Sequence, residues 1–115
     1  MRIEILKSKI HNVKVTEANI AYIGSITIDE NLMNAANLID GEKVSVLSIT
    51  NGERLETYVL KGAKGLGQIE MNGPAAKKIK KNHNVIIISY ASIEFNEAKN
   101  FKPVIIFPNK KNALD

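Results

Sequence analysis

The sequence of residues 43–60 reads KVSVLSITNGERLETYVL. Its first part, residues 43–50, is rich in Val and Ile, and these residues favour β-strands. Asn51-Gly52 then interrupts the apolar pattern, and this dipeptide is typical of a two-residue type I′ loop between antiparallel strands. The stretch therefore predicts a β-hairpin whose second strand covers residues 54–60.

Alternate side chains of that second strand point to opposite faces. Period-two spacing places Arg54 and Tyr58 on one face and Thr57 on the other. Arg54 and Tyr58 are also roughly 13 Å apart along an extended strand. The three side chains therefore cannot easily meet one small ligand within one subunit. A strongly twisted barrel strand, or a site shared between subunits, would remove the conflict.

Short strand patterns recur on both sides of the hairpin, with little helix between them. Residues 30–37 are predicted to form an amphipathic helix with Asp29 as its N-cap and with a buried stripe of Leu32, Met33 and Ala36. Many short strands and frequent turn signals predict a mainly β fold, a small β-barrel with one or two short helices, in a single domain of residues 1–115. The other predicted strands cover residues 1–5, 13–15, 26–28, 68–71, 85–89 and 104–107.

Three segments of the sequence predict irregular structure. Residues 61–67 contain three glycines but lack the Gly-Lys-Ser/Thr ending of a phosphate-binding loop, so a flexible connection is expected. Asn72-Gly73-Pro74 predicts a turn into a helical turn over residues 75–80, where exposed N–H groups would favour a carboxylate. The polar residues 109–115 predict a loose tail.

The composition excludes several classes of function. The chain has no cysteine, which excludes thiol catalysis and disulfides, and its only histidines, His11 and His83, do not suggest a metal site. No signal-peptide pattern or membrane-length apolar run is present, so a cytoplasmic protein without a membrane partner is expected. The net charge is +4, but aromatic residues make up only 5% and Trp is absent, so a nucleic-acid partner is not expected.

Gly24-Ser25 is the candidate centre of chemistry, because it lies between two apolar, strand-like segments. Gly24 has no Cβ and can take a backbone conformation that leaves its carbonyl open to attack. If the Ser25 hydroxyl attacks that carbonyl, the amide becomes an ester. Elimination and hydrolysis then convert Ser25 into an N-terminal pyruvoyl group, which can form a Schiff base with a substrate amine. A Gly-Ser dipeptide alone is a weak signal, because such dipeptides are common in turns and an ordinary loop is then the better interpretation.

Five short motifs, taken in their order along the chain, support a chemical role for the Gly24-Ser25 peptide. Together they resemble the bacterial aspartate 1-decarboxylases, pyruvoyl enzymes that make β-alanine for pantothenate. The resemblance covers residues 1–107 and is carried by Lys9-Ile10-His11, Tyr22-Ile23-Gly24-Ser25, Thr50-Asn51-Gly52-Glu53-Arg54, Thr57-Tyr58 and Asn72-Gly73.

The resemblance implies a six-stranded double-psi β-barrel and a homotetramer with sites between subunits. It implies cleavage after Gly24 into a β chain of residues 1–24 and an α chain of residues 25–115, either spontaneous or assisted by a maturation partner. Thr57 would support cleavage, Ser25 would carry the pyruvoyl group, and Tyr58 would be the proton donor. The residues implied to bind L-aspartate are Lys9, His11, Arg54, Thr57, Asn72, Gly73, Pro74 and Ala75.

Two residues depart from the pattern of the family. Pro74 stands where an alanine is expected and removes an N–H donor, and Leu47 stands where a larger aromatic residue is expected. Two alternatives to an aspartate decarboxylase also remain at this point. One is a non-catalytic basic β-barrel that binds nucleic acid, and the other is a pyruvoyl decarboxylase for another amino acid.

Overall fold

The computed structural model describes residues 1–115, most of which lie in or between β-strands. Two short α-helices are present, α1 (Glu30–Ala36) and α2 (Phe95–Ala98), together with a 3₁₀ helix at Gly73–Lys77. Neither α-helix has the length and apolar character that crossing a bilayer requires. The eight strands are β1 (Arg2–Lys14), β2 (Glu17–Asn19), β3 (Ser25–Asp29), β4 (Lys43–Ser48), β5 (Arg54–Gly62), β6 (Ile69–Asn72), β7 (Asn84–Glu94) and β8 (Val104–Ile106).

The strands form one sheet in the order β2-β6-β3-β5-β4-β7-β1-β8. β1 and β2 are successive parts of one extended segment, separated only by Val15 and Thr16. The Val15 N–H donates to the His83 carbonyl at 2.8 Å, and the Thr16 N–H donates to the Ile69 carbonyl at 2.8 Å. The segment therefore pairs with β7 at its start and with β6 at its end, which closes the sheet into a small barrel.

The predicted mainly β fold is confirmed, and the difference in strand number has a simple origin. The ring contains six segments when β1 and β2 are counted as one. The structure has eight strands because this segment is interrupted and because β8 pairs in parallel with β1 outside the ring.

The interior of the barrel is filled by aliphatic side chains from most of its strands. The largest fully buried side chains include Ile10, Ile26, Val46, Ile69 and Ile87. Burying side chains of this size stabilises a fold by about 1.5–3 kcal/mol each.

Helix α1 follows its prediction, because its signals are local. The Asp29 carboxylate accepts a hydrogen bond from the Asn31 N–H at 2.8 Å, as an N-cap does. Leu32, Met33 and Ala36 are buried, as the amphipathic pattern predicts.

The hairpin between β4 and β5 is confirmed, but the type I′ prediction is wrong. The Ser48 N–H donates to the Glu53 carbonyl at 2.8 Å, which leaves a four-residue loop of residues 49–52. A type I′ turn needs positive φ at both central residues, and only Gly52 has it, at 77°. Local hydrogen bonds from the Asn51 N–H to Ser48 Oγ and from the Glu53 N–H to Asn51 Oδ1 shape the loop. The Asn51 amide also donates to the Lys78 carbonyl at 2.8 Å.

Two segments that were expected to be loose are attached to the barrel. The glycine-rich loop after β5 donates two N–H groups to Asp29, from Gly65 at 3.1 Å and from Gly67 at 2.6 Å. In the C-terminal tail, the buried Asn112 amide donates to the carbonyls of Lys14 at 2.7 Å and of Gly67 at 2.9 Å. These predictions were wrong because the attachments join residues far apart in sequence.

Candidate active site

Ser25 is buried at the start of β3. Its hydroxyl donates to the Ile23 carbonyl at 2.9 Å and accepts from the Asn72 side-chain amide at 3.0 Å. Ser25 and Asn72 are also paired residues of the antiparallel strands β3 and β6. Both the strand register and the hydrogen bonds therefore fix the position of the Ser25 oxygen beside Gly24.

Asn72 is fully buried and has one polar atom without a partner. Its Nδ2 group donates to Ser25 Oγ at 3.0 Å and to Thr27 Oγ1 at 3.0 Å. Its Oδ1 atom accepts no hydrogen bond although it is buried. Buried acceptors are nearly always satisfied, so this oxygen marks a place where a donor from a ligand or water fits.

Gly73, rather than Gly24, is the glycine that the site geometry requires. Gly73 has φ of 72°, and a Cβ on it would lie 2.6 Å from the Gly24 Cα. Gly24 does not have a positive φ, and a Cβ on it would meet only Pro74 Cδ at 3.7 Å, which is an ordinary contact. The expectation of an unusual backbone conformation at Gly24 is therefore wrong, and the close approach of Gly73 is the feature that sequence reasoning missed.

A cavity of about 340 Å³ opens beside this peptide. Strand β5 forms one wall, and the 3₁₀ helix with the residue that follows it forms another. Of its nine lining residues, six are among the predicted site residues: Gly24, Ser25, Thr57, Asn72, Pro74 and Ala75.

Three lining residues were not predicted: Leu55, Glu56 and Lys78. Leu55 and Glu56 directly precede Thr57 in the sequence, so the resemblance at Thr57 was a signal for this part of β5. Lys78 belongs to a run of lysines that resembles a solvated face, and its sequence context gives no further signal.

Five of the predicted site residues do not line this cavity: Lys9, His11, Arg54, Tyr58 and Gly73. Arg54 lines an adjoining hollow of about 370 Å³, which includes Glu4 and Tyr90 and shares Leu55 and Glu56 with the Ser25 cavity. Tyr58 is 37% exposed, and the alternation along β5 separates it from Thr57 as predicted. His11 packs near Phe107, with 5.5 Å between the ring centroids.

The polar groups of the cavity are amides, hydroxyls and two charged side chains, Glu56 and Lys78. The structure contains no group of three or more His, Asp or Glu side chains that could hold a metal ion. Because both hydrogen-bond partners of the Ser25 hydroxyl are amide groups, the arrangement differs from a triad, in which a base accepts the proton of the serine.

The fold and the site define a small β-barrel protein in which a buried serine follows glycine at the edge of a polar cavity. The family model described as aspartate decarboxylase matches residues 1–115. The chain belongs to this family, and the resemblance predicted from its motifs is confirmed.

Similar proteins named aspartate 1-decarboxylase match nearly the whole chain. The protein from Flavobacterium psychrophilum is 58% identical over 112 residues, which are 97% of this chain and 97% of the relative. The protein from Cytophaga hutchinsonii is 59% identical over 114 residues, 99% of each chain. The protein from Bacteroides fragilis is 60% identical over 109 residues, 95% of this chain and 93% of the relative.

Proposed function

We propose that this chain cleaves itself between Gly24 and Ser25 and then decarboxylates L-aspartate to β-alanine and carbon dioxide, the step that supplies pantothenate biosynthesis. The observation that carries the proposal is the buried Ser25 hydroxyl, held beside Gly24 by Asn72 at the edge of a cavity. Membership of the aspartate decarboxylase family, and relatives named aspartate 1-decarboxylase, support the same activity. They favour a lyase over a nucleic-acid-binding barrel.

The cleavage uses only atoms of the chain and water. Ser25 Oγ attacks the Gly24 carbonyl, its proton passes to the departing amide nitrogen, and the peptide becomes an ester. Removal of the Ser25 α-proton expels the Gly24 carboxylate and leaves an N-terminal dehydroalanine. Its imine tautomer takes up water and releases ammonia, which gives the pyruvoyl group. The products are a β chain of residues 1–24 and an α chain of residues 25–115.

The side chains around Ser25 fit this chemistry. The Asn72 amide donates to Oγ, and a hydrogen bond of this kind stabilises the oxygen as it gives up its proton. Thr57 lines the cavity with Gly24, and we assign its hydroxyl to the support of the Gly24 carbonyl during attack. Gly73 lies directly against the Gly24 backbone, which holds that peptide in place.

The same residues fit a pyruvoyl group and an amino-acid substrate. When present, the pyruvoyl group supplies an electron sink that is linked through nitrogen to the substrate. The unpartnered Asn72 Oδ1 can accept a hydrogen bond from a substrate N–H. The cavity volume of about 340 Å³ is within the usual range for small-molecule sites.

The substrate-binding set extends beyond one chain in this proposal. Lys9, His11, Arg54 and Tyr58 do not line the Ser25 cavity of their own chain, and a site shared between subunits would bring them to the substrate. We therefore propose a homotetramer in which Arg54 holds a carboxylate with its paired donors and Tyr58 donates the proton to the decarboxylated carbon. Residues 72–75 contact substrate from the side of Ser25. The enzyme acts in the cytoplasm, and a maturation partner that accelerates cleavage is compatible with the proposal.

The decisive experiment is a denaturing intact-mass spectrum of the purified protein, with and without a carbonyl-trapping hydrazine. We expect two fragments divided after Gly24, of which only the larger gains mass with the hydrazine. The same preparation should release β-alanine from L-aspartate. Ser25→Ala is the matched control, because it removes the attacking oxygen and should leave one full-length, hydrazine-inert chain.

A wild-type chain that stays full length and hydrazine-inert after prolonged heating and after incubation with candidate partners would contradict the proposal. Salt-sensitive binding of that chain to DNA or RNA would then indicate the nucleic-acid-binding barrel. Cleavage and hydrazine reactivity without β-alanine formation would instead indicate a pyruvoyl decarboxylase for another amino acid.

A further inference from the structure

The cavity beside Ser25 contains a single cationic side chain, Lys78. Lys78 directly follows the 3₁₀ helix Gly73–Lys77, whose first residues also contact the cavity or Gly24. Its carbonyl accepts a hydrogen bond from the Asn51 side chain at 2.8 Å, so the backbone is tied to the β4–β5 loop. The backbone of Lys78 is thus fixed at the cavity, while its side chain remains largely exposed.

The charge of Lys78 is only weakly engaged within the chain. Its Nζ lies 3.9 Å from Glu53 Oε2, and the two side chains are 65% and 41% exposed. An ion pair at this distance and exposure contributes little, so it does not prevent the ammonium from meeting another anion. Glu56, the other charged residue of the cavity, lies 3.5 Å from Lys43 Nζ. No acid of the cavity therefore pairs with Lys78.

We propose that Lys78 and Ser25 of one chain act on the same substrate molecule, with Lys78 binding one of its carboxylates. Lys78 would thereby contribute to the selection of a dicarboxylic amino acid. This inference rests on the proposed function. L-Aspartate has two carboxylates, and Lys9 and Arg54 of the same chain do not line the Ser25 cavity. Lys78 is the one cationic residue that this chain contributes to the cavity lining, and a carboxylate that entered without a cation nearby would lose its hydration uncompensated.

The test uses the cleaved enzyme and three variants: Lys78→Gln, Lys78→Arg and Lys77→Gln. Lys77 is the matched control, since it is the adjacent lysine, is exposed and does not line the cavity. The Michaelis constant for L-aspartate and the inhibition constant of succinate, which has two carboxylates and no amine, are measured at low ionic strength. A mass spectrum of each variant verifies that cleavage is complete.

Lys78→Gln should raise both constants about tenfold, because it removes one partly exposed charge-assisted hydrogen bond. The kcat should change less than about twofold. Lys78→Arg should restore most of the affinity, and Lys77→Gln should change either constant less than about twofold. Two outcomes would overturn the role of Lys78 and leave the proposed function intact. One is that Lys78→Gln and Lys77→Gln have equal constants, and the other is that Lys78→Gln lowers kcat without raising the Michaelis constant. A wild-type enzyme that is uncleaved, or cleaved but inert toward L-aspartate, overturns the proposed function and this inference with it.

Discussion

The Ser25 hydroxyl is held by two amide groups, and this determines how it can react. Its proton is directed at the Ile23 carbonyl, and its lone pair faces the Asn72 amide. Neither partner is a base at neutral pH, so the serine is oriented but not strongly activated. The cleavage that we propose would be a single slow event that matures the protein. It does not require the fast proton transfer that a serine hydrolase needs in every turnover.

Thr57 is the residue whose hydroxyl we expect to matter for cleavage but not for folding. It is half-buried on β5, opposite Val44 of β4, and lines the Ser25 cavity. Thr57→Ala should slow cleavage about hundredfold, the loss expected when one donor to a developing oxyanion is removed. The uncleaved fraction is followed over time by denaturing mass spectrometry.

Thr57→Ser and Thr57→Val separate the hydroxyl from the shape of the side chain. Thr57→Ser keeps the donor and should be cleaved at nearly the normal rate, whereas Thr57→Val keeps the β-branched shape and should be as slow as Thr57→Ala. All three variants should unfold within about 1 kcal/mol of wild type. Normal cleavage of Thr57→Ala would remove this residue from the mechanism.

At the residue scale, the sequence could indicate the candidate cleavage peptide but not the whole cavity beside it. Gly24, Ser25 and Thr57 form recognisable motifs, and the structure places all three around one cavity. The role of Gly73 depends on its close packing against Gly24, where a Cβ on Gly73 would lie 2.6 Å from the Gly24 Cα, and only the tertiary structure reveals this. Lys78 lies in a lysine run, and no local pattern distinguishes a cavity lysine from its solvated neighbours.

At the scale of single elements, local signals were reliable and long-range ones were not. The N-cap at Asp29 was predictable because an acid before an amphipathic pattern is sufficient to indicate it. The same carboxylate also accepts N–H groups from Gly65 and Gly67, which are 36 and 38 residues away. The attachment of Asn112 to Lys14 spans 98 residues, so hydrophobic periodicity could not have predicted it.

Asp29 therefore joins α1 to the glycine-rich loop, and its charge should contribute to stability. Burial raises the pKa of Asp29, but hydrogen bonds from the N–H groups of Gly65, Gly67 and Asn31 lower it, and the pKa is below its ordinary value of 3.8. A pKa lowered by folding gives stability that is fully present above about pH 4. That stability is lost as the pH falls below 3.8 through the pKa of the folded state.

Asp29→Asn should lower the free energy of unfolding by about 1–2 kcal/mol at neutral pH, because a carboxylate that accepts several N–H bonds becomes a neutral amide. Below about pH 3 the difference from wild type should shrink, since the wild-type carboxylate is then being protonated. Urea unfolding at several pH values measures both effects. Glu97→Gln, which changes an exposed acid without an ion pair, should show neither. A difference that stays constant with pH would contradict the electrostatic explanation.

At the scale of the whole molecule, the proposed cleavage divides a closed barrel without opening it. The bond after Gly24 lies in the segment between β2 and β3, at the edge of the sheet pairings. The β chain would carry β1 and β2, which pair with β7 and β8 and with β6 respectively. The sequence predicted a barrel from many short strands, but this closure depends on partners distant in sequence and was visible only in the structure.

The two chains should consequently remain one folded unit after cleavage. Ile10, Val13 and Val15 of the β chain are buried at 0–1% exposure in the core that the α chain builds. Their burial alone contributes about 5–9 kcal/mol, and the backbone pairing of β1 with β7 adds to it. Native mass spectrometry should therefore detect both chains in equal numbers in one complex, four of each if the enzyme is a tetramer. They should separate only in denaturant, with one unfolding midpoint for both.

The uncleaved Ser25→Ala protein should give a complex of the same subunit number, because its strand pairings are unchanged. Release of the β chain in native buffer, with the α chain still folded, would contradict this arrangement, since the barrel would then lack the segment that joins β7 to β6.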